Sequence, residues 1–182
     1  MYFEEKGKVN SEKCVQLAIK EAKDRNIKHI VVATSSGYTA KLFKDVKDIN
    51  VVCVTHGYGC KKPGENEFTH ESIEELKELG FKILTTTHVL SGAERGISRK
   101  FGGVSPVEIM AHTLRMFGQG TKVCVEISVM AMDAGLIPYG EKIIAVGGSS
   151  QGADTAVVIS PAHANNILDT KINEVICKPN NF

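Results

Sequence analysis

Two short apolar runs, His29–Ala33 (HIVVA) and Val51–Thr55 (VVCVT), most restrict what this chain can fold into. Both are rich in β-branched residues and lack polar alternation, the pattern of a strand covered on both faces. Between them lies TAKLFKDV, which reads as a helix. Parallel neighbouring strands need a crossover to bring the chain back to the same end of a sheet, so this spacing predicts a parallel βαβ unit. The pattern repeats at Thr69–Leu79, helical with Gly80 as its stop, and at Phe81–Leu84, the next strand. Upstream, Ser11–Arg25 places Cys14, Leu17, Ala18 and Ala22 at helical spacing behind a cap at Asn10 or Ser11.

The middle of the chain is helical in pattern. Ser91–Phe101 predicts a short helix and Pro106–Phe117 a firmer one, with Pro106 suited to a first helical position. Lys122–Leu136 is almost wholly apolar, and its length favours a buried helix over a strand. Strand patterns return at Lys142–Val146, Thr155–Ile159 and Ile172–Cys177, while Gly59–Asn66 has the composition of a surface loop. The expected architecture is a single α/β domain over residues 1–182, a three-layer sandwich with a mostly parallel sheet.

Composition narrows the function classes. With 182 residues, 42% hydrophobic and 24% charged, the chain is neither fibrous nor disordered in type. Lys+Arg 22 against Asp+Glu 21 gives a net charge of +1, without the footprint of a general nucleic-acid or membrane-surface binder. No apolar run approaches the roughly 18 residues of a bilayer span, and the start, MYFEEKGKVN, lacks the apolar core of a signal peptide. Five scattered cysteines with no CxxC suggest reduced thiols, so a cytoplasmic location is expected. Spacing shows no His/Cys/Asp cluster of metal-ligand type, and no metal is expected.

The densest chemical signal is Thr34-Ser35-Ser36-Gly37-Tyr38-Thr39, at the junction of a buried strand and a helix start. Ligands of open parallel sheets sit at the carboxyl ends of the strands, and a helix N-terminus there suits a phosphate. Thr34, Ser35, Ser36 and Thr39 add hydroxyl donors, and Gly37 permits positive φ and close backbone approach. The P-loop lysine and the GxGxxG spacing are both absent, so neither motif applies. An ordinary capped turn is the plain alternative.

Ala33–Leu42, ATSSGYTAKL, resembles the TxSGxTA segment of the pyruvate kinase C-terminal domain, whose loop cradles a phosphate of a sugar bisphosphate effector. Gly147–Thr155, GGSSQGADT, is similar in placement to the glycine-rich loop closing that effector site; a β-hairpin with a glycine loop is its plain alternative. THVLSGAERGISRKFGG and GADTAVVISPA resemble the small stand-alone relatives of that domain. The catalytic barrel of the kinase has no counterpart, so kinase activity is not implied. For the stand-alone group the resemblance implies flavin mononucleotide (FMN) as ligand, with no assigned reaction. It places the phosphate on Ser35, Ser36, Gly37 and Thr39 and the ring towards His56, His88 and Gly147–Gly148, with Gly152 shaping the closing turn. A regulatory module that binds a sugar phosphate or nucleotide without catalysis remains open beside it, as does a flavin-dependent oxidoreductase.

Several residues invite chemistry by position. His56 and His88 each follow a strand at the sheet's carboxyl edge, where a histidine can bind a ligand, move a proton or simply cap the strand. Arg95 and Arg99, four apart, would share a helical face suited to a second anion, or to solvent. Glu126 and Asp133 share a face of the apolar helix and need partners, in a polar cleft or across a subunit interface. Cys60, beside Lys61 and Lys62, is a candidate reactive thiol, whereas Cys53 alternates with valines as a core residue would. The apolar helix and its neighbours suggest a homo-oligomer.

Overall fold

The computed structural model describes residues 1–182. In chain order the elements are β1 (Tyr2–Phe3), α1 (Ser11–Asp24), β2 (His29–Ala33), α2 (Tyr38–Lys41), β3 (Asn50–Val54), α3 (His70–Glu78) and β4 (Lys82–Leu84). There follow α4 (Ala93–Phe101), α5 (Pro106–Arg115), α6 (Gln119–Asp133), β5 (Ile143–Gly147), β6 (Thr155–Ser160) and β7 (Lys171–Pro179). The strands form one sheet in the order β1-β7-β6-β5-β2-β3-β4. Pairs β2·β3, β2·β5, β3·β4 and β1·β7 are parallel; β5·β6 and β6·β7 are antiparallel. The expected α/β sandwich with a mostly parallel sheet is the observed fold.

The unpolarised strand runs are explained by burial on both faces. Ile30 and Val32 of β2 join Ile144 and Val146 of β5 in a core closed by Cys14, Val15 and Ala18 of α1, by Phe43 and by Leu76 of α3. The alternate residues Val31, Val52, Ile143, Ala145 and Val157 point the other way, under Cys124, Ile127 and Ala131 of α6. Period-2 side chains feeding two helical layers leave no solvent face for polar residues. α5 is held at its start by a capping box in which Ser105 and Glu108 satisfy each other's backbone N–H, with Pro106 at the first helical position.

Two elements differ from the sequence expectation. The helix expected at TAKLFKDV is a single turn, Tyr38–Lys41; beyond it Phe43, Lys44 and Val46 bond back three residues to Ala40, Lys41 and Phe43. Phe43 is fully buried, and turning its ring into the core takes precedence over continuing the helix. β1, unforeseen, is two residues long and carries no periodicity; the N-terminal ammonium donates to the Ile176 carbonyl at 2.7 Å and sets it beside β7. No helix is long and apolar enough to cross a membrane.

Candidate functional site

The chain steps from β2 to β3 to β4 in one direction and then returns, through α4–α6, to place β5 on the other side of β2. Connections therefore leave β2 and β5 on opposite courses, and a crevice opens beyond their carboxyl ends. A cavity of about 670 Å³ occupies this place, within the range of small-molecule sites. Its walls include the loop after β2, His56 after β3, His88 after β4, the N-terminal half of α6 and the hairpin loop after β5.

Thr34, Ser35, Ser36 and Thr39 line the cavity as the sequence suggests. Gly37 has φ +83°, and its N–H donates to Thr34 Oγ1 at 3.0 Å. The turn is thus held internally, and Gly37 does not face the cavity: a Cβ there would point at the Phe68 ring, 3.4 Å away. With α2 only one turn long, the helix dipole adds little, and any anion affinity of this loop rests on hydroxyls and on nearby cations.

The glycine-rich segment is a hairpin loop, with Gly147 paired to Thr155 across antiparallel β5 and β6. Gly148 and Gly152 reach the cavity, whereas Gly147 does not. A Cβ on Gly147 would meet the Gly120 carbonyl at 2.9 Å, and one on Gly152 would meet Ser11 Oγ at 2.3 Å. These glycines permit close packing of the loop on α6 and α1. Asp154, fully buried, holds the loop's shape: Oδ2 accepts from Gly7 N at 2.8 Å and Ser149 N at 3.1 Å, and Oδ1 accepts from the Thr155 hydroxyl at 2.7 Å.

His56 and His88 both line the cavity, their ring centroids 5.7 Å apart. His56 Nδ1 lies 2.9 Å from Glu67 Oε1. His88 Nε2 lies 3.3 Å from the Thr55 carbonyl, and its Nδ1 is 3.6 Å from Glu126 Oε2. Glu126 is buried, with Oε1 accepting from Leu90 N at 3.0 Å and Oε2 paired with Lys122 Nζ. Its partner is therefore one turn earlier on the same helix, and no subunit contact is needed. Burial pushes the Glu126 carboxyl up, but His88 and Lys122 outweigh it and bring it down to about 2. The Glu126 carboxylate in turn holds the His88 imidazolium above its ordinary range against burial, while burial pulls the Lys122 ammonium down. Asp133 is not part of this group; it lies exposed at the end of α6, accepting from Ala164 N and 2.8 Å from His163 Nδ1.

Sequence reading alone did not assemble the cationic wall. Lys8, Arg95 and Arg115 line the cavity and form no ion pair, unlike Lys61 with Glu67 and Lys122 with Glu126. Arg95 reaches the cavity but Arg99 does not. Lys122 was visible as the one basic residue four before Glu126 in an apolar run; Lys8 and Arg115 gave no such signal. Cys60, exposed, also lines the cavity, as does Glu67, and with His56 these two offer ligand atoms within 4.8 Å of one another. Spacing along the chain predicted no such cluster.

Comparison with known proteins completes the site's context. A pyruvate kinase from Cryptosporidium parvum is similar at 16% identity and a TM-score of 0.40, over 81% of this chain and 22% of that one. The same organism's pyruvate kinase in complex with ADP is similar at 16% identity and a TM-score of 0.41, with the same shares covered. The chain spans about 22% of the length of these kinases. The family model for the pyruvate kinase alpha/beta domain matches residues 12–159, a span that runs from α1 into β6 and carries both loops at the sheet's carboxyl edge. On that match over most of its length, the chain belongs to the pyruvate kinase alpha/beta-domain family.

Proposed function

We propose that the chain binds a phosphorylated small molecule in the cavity, with flavin mononucleotide as the favoured ligand. One observation carries the reading: Lys8, Arg95 and Arg115, without carboxylate partners, share a cavity with the hydroxyls of Thr34, Ser35, Ser36 and Thr39. Cations outside any ion pair, with Arg115 bonded to the neutral Gln119 amide and Lys8 over the Tyr38 ring, match a phosphate's charge, and the clustered hydroxyls match its acceptor oxygens. The cavity's volume suits a mononucleotide. Val54, Val123 and Ile127 supply apolar surface for a planar ring system, and His56 and His88 line the same cavity.

A bound flavin would supply hydride or single-electron transfer. The chain's part would be to hold the phosphate at residues 34–39 and to keep a proton on His88, where the Glu126 carboxylate favours the charged imidazole. A flavin-dependent oxidoreductase would need a proton delivered to a substrate; a sensor would not. The excess of cations favours a second reading, a regulatory module for a sugar bisphosphate or nucleotide, because three cations outside any ion pair exceed the two charges of one phosphate monoester. We further propose self-association, supported by the exposed apolar residues Ile97, Phe101, Ile109, Met116 and Phe117 on and beside α4 and α5.

The deciding experiment is a visible absorbance spectrum of freshly purified protein, with mass spectrometry of what heat releases. A flavin spectrum and a released mononucleotide support the reading. A colourless protein that also ignores added FMN overturns it, and a thermal-shift screen of sugar phosphates and nucleotides then tests the module.

A further inference from the structure

The loop after β3 folds back on itself before α3. Gly59 N donates to Glu65 O at 2.9 Å, Cys60 N to Gly57 O at 3.3 Å and Glu65 N to Lys62 O at 3.1 Å. This turn brings Cys60 and Glu67 against His56, so that an imidazole nitrogen, a thiol sulfur and a carboxylate oxygen lie within 4.8 Å of one another. Around a tetrahedral ion with bonds of 2.0–2.3 Å, ligand atoms stand about 3.3–3.8 Å apart. Cys60 is exposed and His56 and Glu67 are partly exposed, which leaves their side chains room to rotate towards one another.

We propose that His56, Cys60 and Glu67 form a binding site for a divalent cation of the zinc class, with its fourth position open to the cavity. The mixed nitrogen, sulfur and oxygen donors select a borderline ion over magnesium or calcium, which take oxygen ligands. A positive charge is already favoured at this point: Lys61 Nζ lies 2.5 Å from Glu67 Oε2, and Lys61, at 74% exposure, is free to swing away when an ion arrives. His56, whose Nδ1–H faces the Glu67 carboxylate, would bind through Nδ1 once that proton has moved to Nε2, and Cys60 would bind as thiolate, so one proton per ion leaves the thiol for solvent. His88 is not a fourth ligand, since its two nitrogens face Thr55 and Glu126. All three proposed ligands line the cavity, leaving its side of the ion to water or to an oxygen of the occupant. The site goes beyond the phosphate reading and does not depend on it.

Cobalt(II) titration of the reduced, chelator-treated full chain tests the site, read as a difference spectrum against protein without cobalt. The expected result is a sulfur-to-cobalt charge-transfer band that saturates at one ion per chain and is abolished by added zinc. Cys14, Cys53, Cys124 and Cys177 are buried, so such a band reports Cys60. Cys60→Ser should abolish the band without changing the thermal melt, and His56→Ala should weaken cobalt binding by more than about tenfold. Absence of the band in the unmodified chain overturns the proposal. So does a band that survives Cys60→Ser, or cobalt affinity unchanged in both His56→Ala and Glu67→Gln.

Discussion

His88 Nδ1 lies 3.6 Å from Oε2 of Glu126, a carboxylate that is 2% exposed. The pair joins the segment after β4 to the middle of α6, and Leu90 N, donating to the other carboxylate oxygen, fixes the same segment a second time. A buried charge is tolerated only where its partners are all in place. Glu126 has three, and through His88 this one carboxylate positions an edge of the cavity.

The pH dependence of stability follows from the two shifts. His88 is raised above its ordinary 6.5, so its contribution is full below that value and is lost as pH rises through the folded-state pKa. Glu126 is lowered from 4.5 to about 2, so its contribution is present above 4.5 and is lost as pH falls towards 2. Both contribute between about pH 4.5 and 6.5. Thermal melts of the unmodified chain and His88→Gln should therefore differ most near pH 5.5 and converge towards pH 9. A gap that does not change with pH would show that His88 acts by packing alone.

Removing Glu126 strands the Lys122 ammonium in the interior. Glu126→Leu should cost about 3–5 kcal/mol, and adding Lys122→Met should restore at least about 2 kcal/mol of it, since matched apolar replacement of a buried pair is often near neutral. Urea denaturation of both singles and the double measures the coupling. Additive losses would mean that the two side chains do not depend on each other.

Hydroxyl removal in the loop after β2 tests the proposed anion site without disturbing the core. Ser36 is exposed and Ser35 half-buried, so Ser35→Ala with Ser36→Ala should leave the melt of ligand-free protein nearly unchanged. Hydrogen bonds to a charged group are worth about 1.5–3 kcal/mol each, so FMN affinity should fall at least about tenfold. Fluorescence titration with FMN reads it.

Arg95 and Arg99 should separate. Arg95→Gln removes a cavity cation and should weaken FMN by several-fold, whereas Arg99→Gln, outside the cavity, should not. Equal effects in the same titration would place the phosphate elsewhere on α4.

Gly37→Val should destabilise the ligand-free protein. The position needs φ +83°, which a β-branched residue adopts only under strain, and the added side chain would lie against Phe68. A non-glycine residue in that region costs about 1–3 kcal/mol, with β-branched residues at the upper end. Differential scanning calorimetry should show a clear drop in Tm, less for Gly37→Asn.

The four buried strands β2, β3, β5 and β6 were legible from HIVVA, VVCVT, Lys142–Val146 and Thr155–Ile159, because a run so nearly free of polar residues lies between two layers. Gly37 was legible as a residue needing freedom, though not which way its missing Cβ points; Phe68, thirty-one residues on, decides that. Likewise the glycines at 147 and 152 marked a loop, but only the approach of Gly120 and Ser11 shows that they serve packing. Local order, strand burial and the hydroxyl-rich turn after β2 were thus determined by sequence alone, since they depend on neighbours a few positions apart. The cavity's charge was not. Lys8, Arg95 and Arg115 meet only once the return crossover sets β5 beside β2, and His56, Cys60 and Glu67 only once the irregular loop after β3 folds back; no periodicity records either kind of contact.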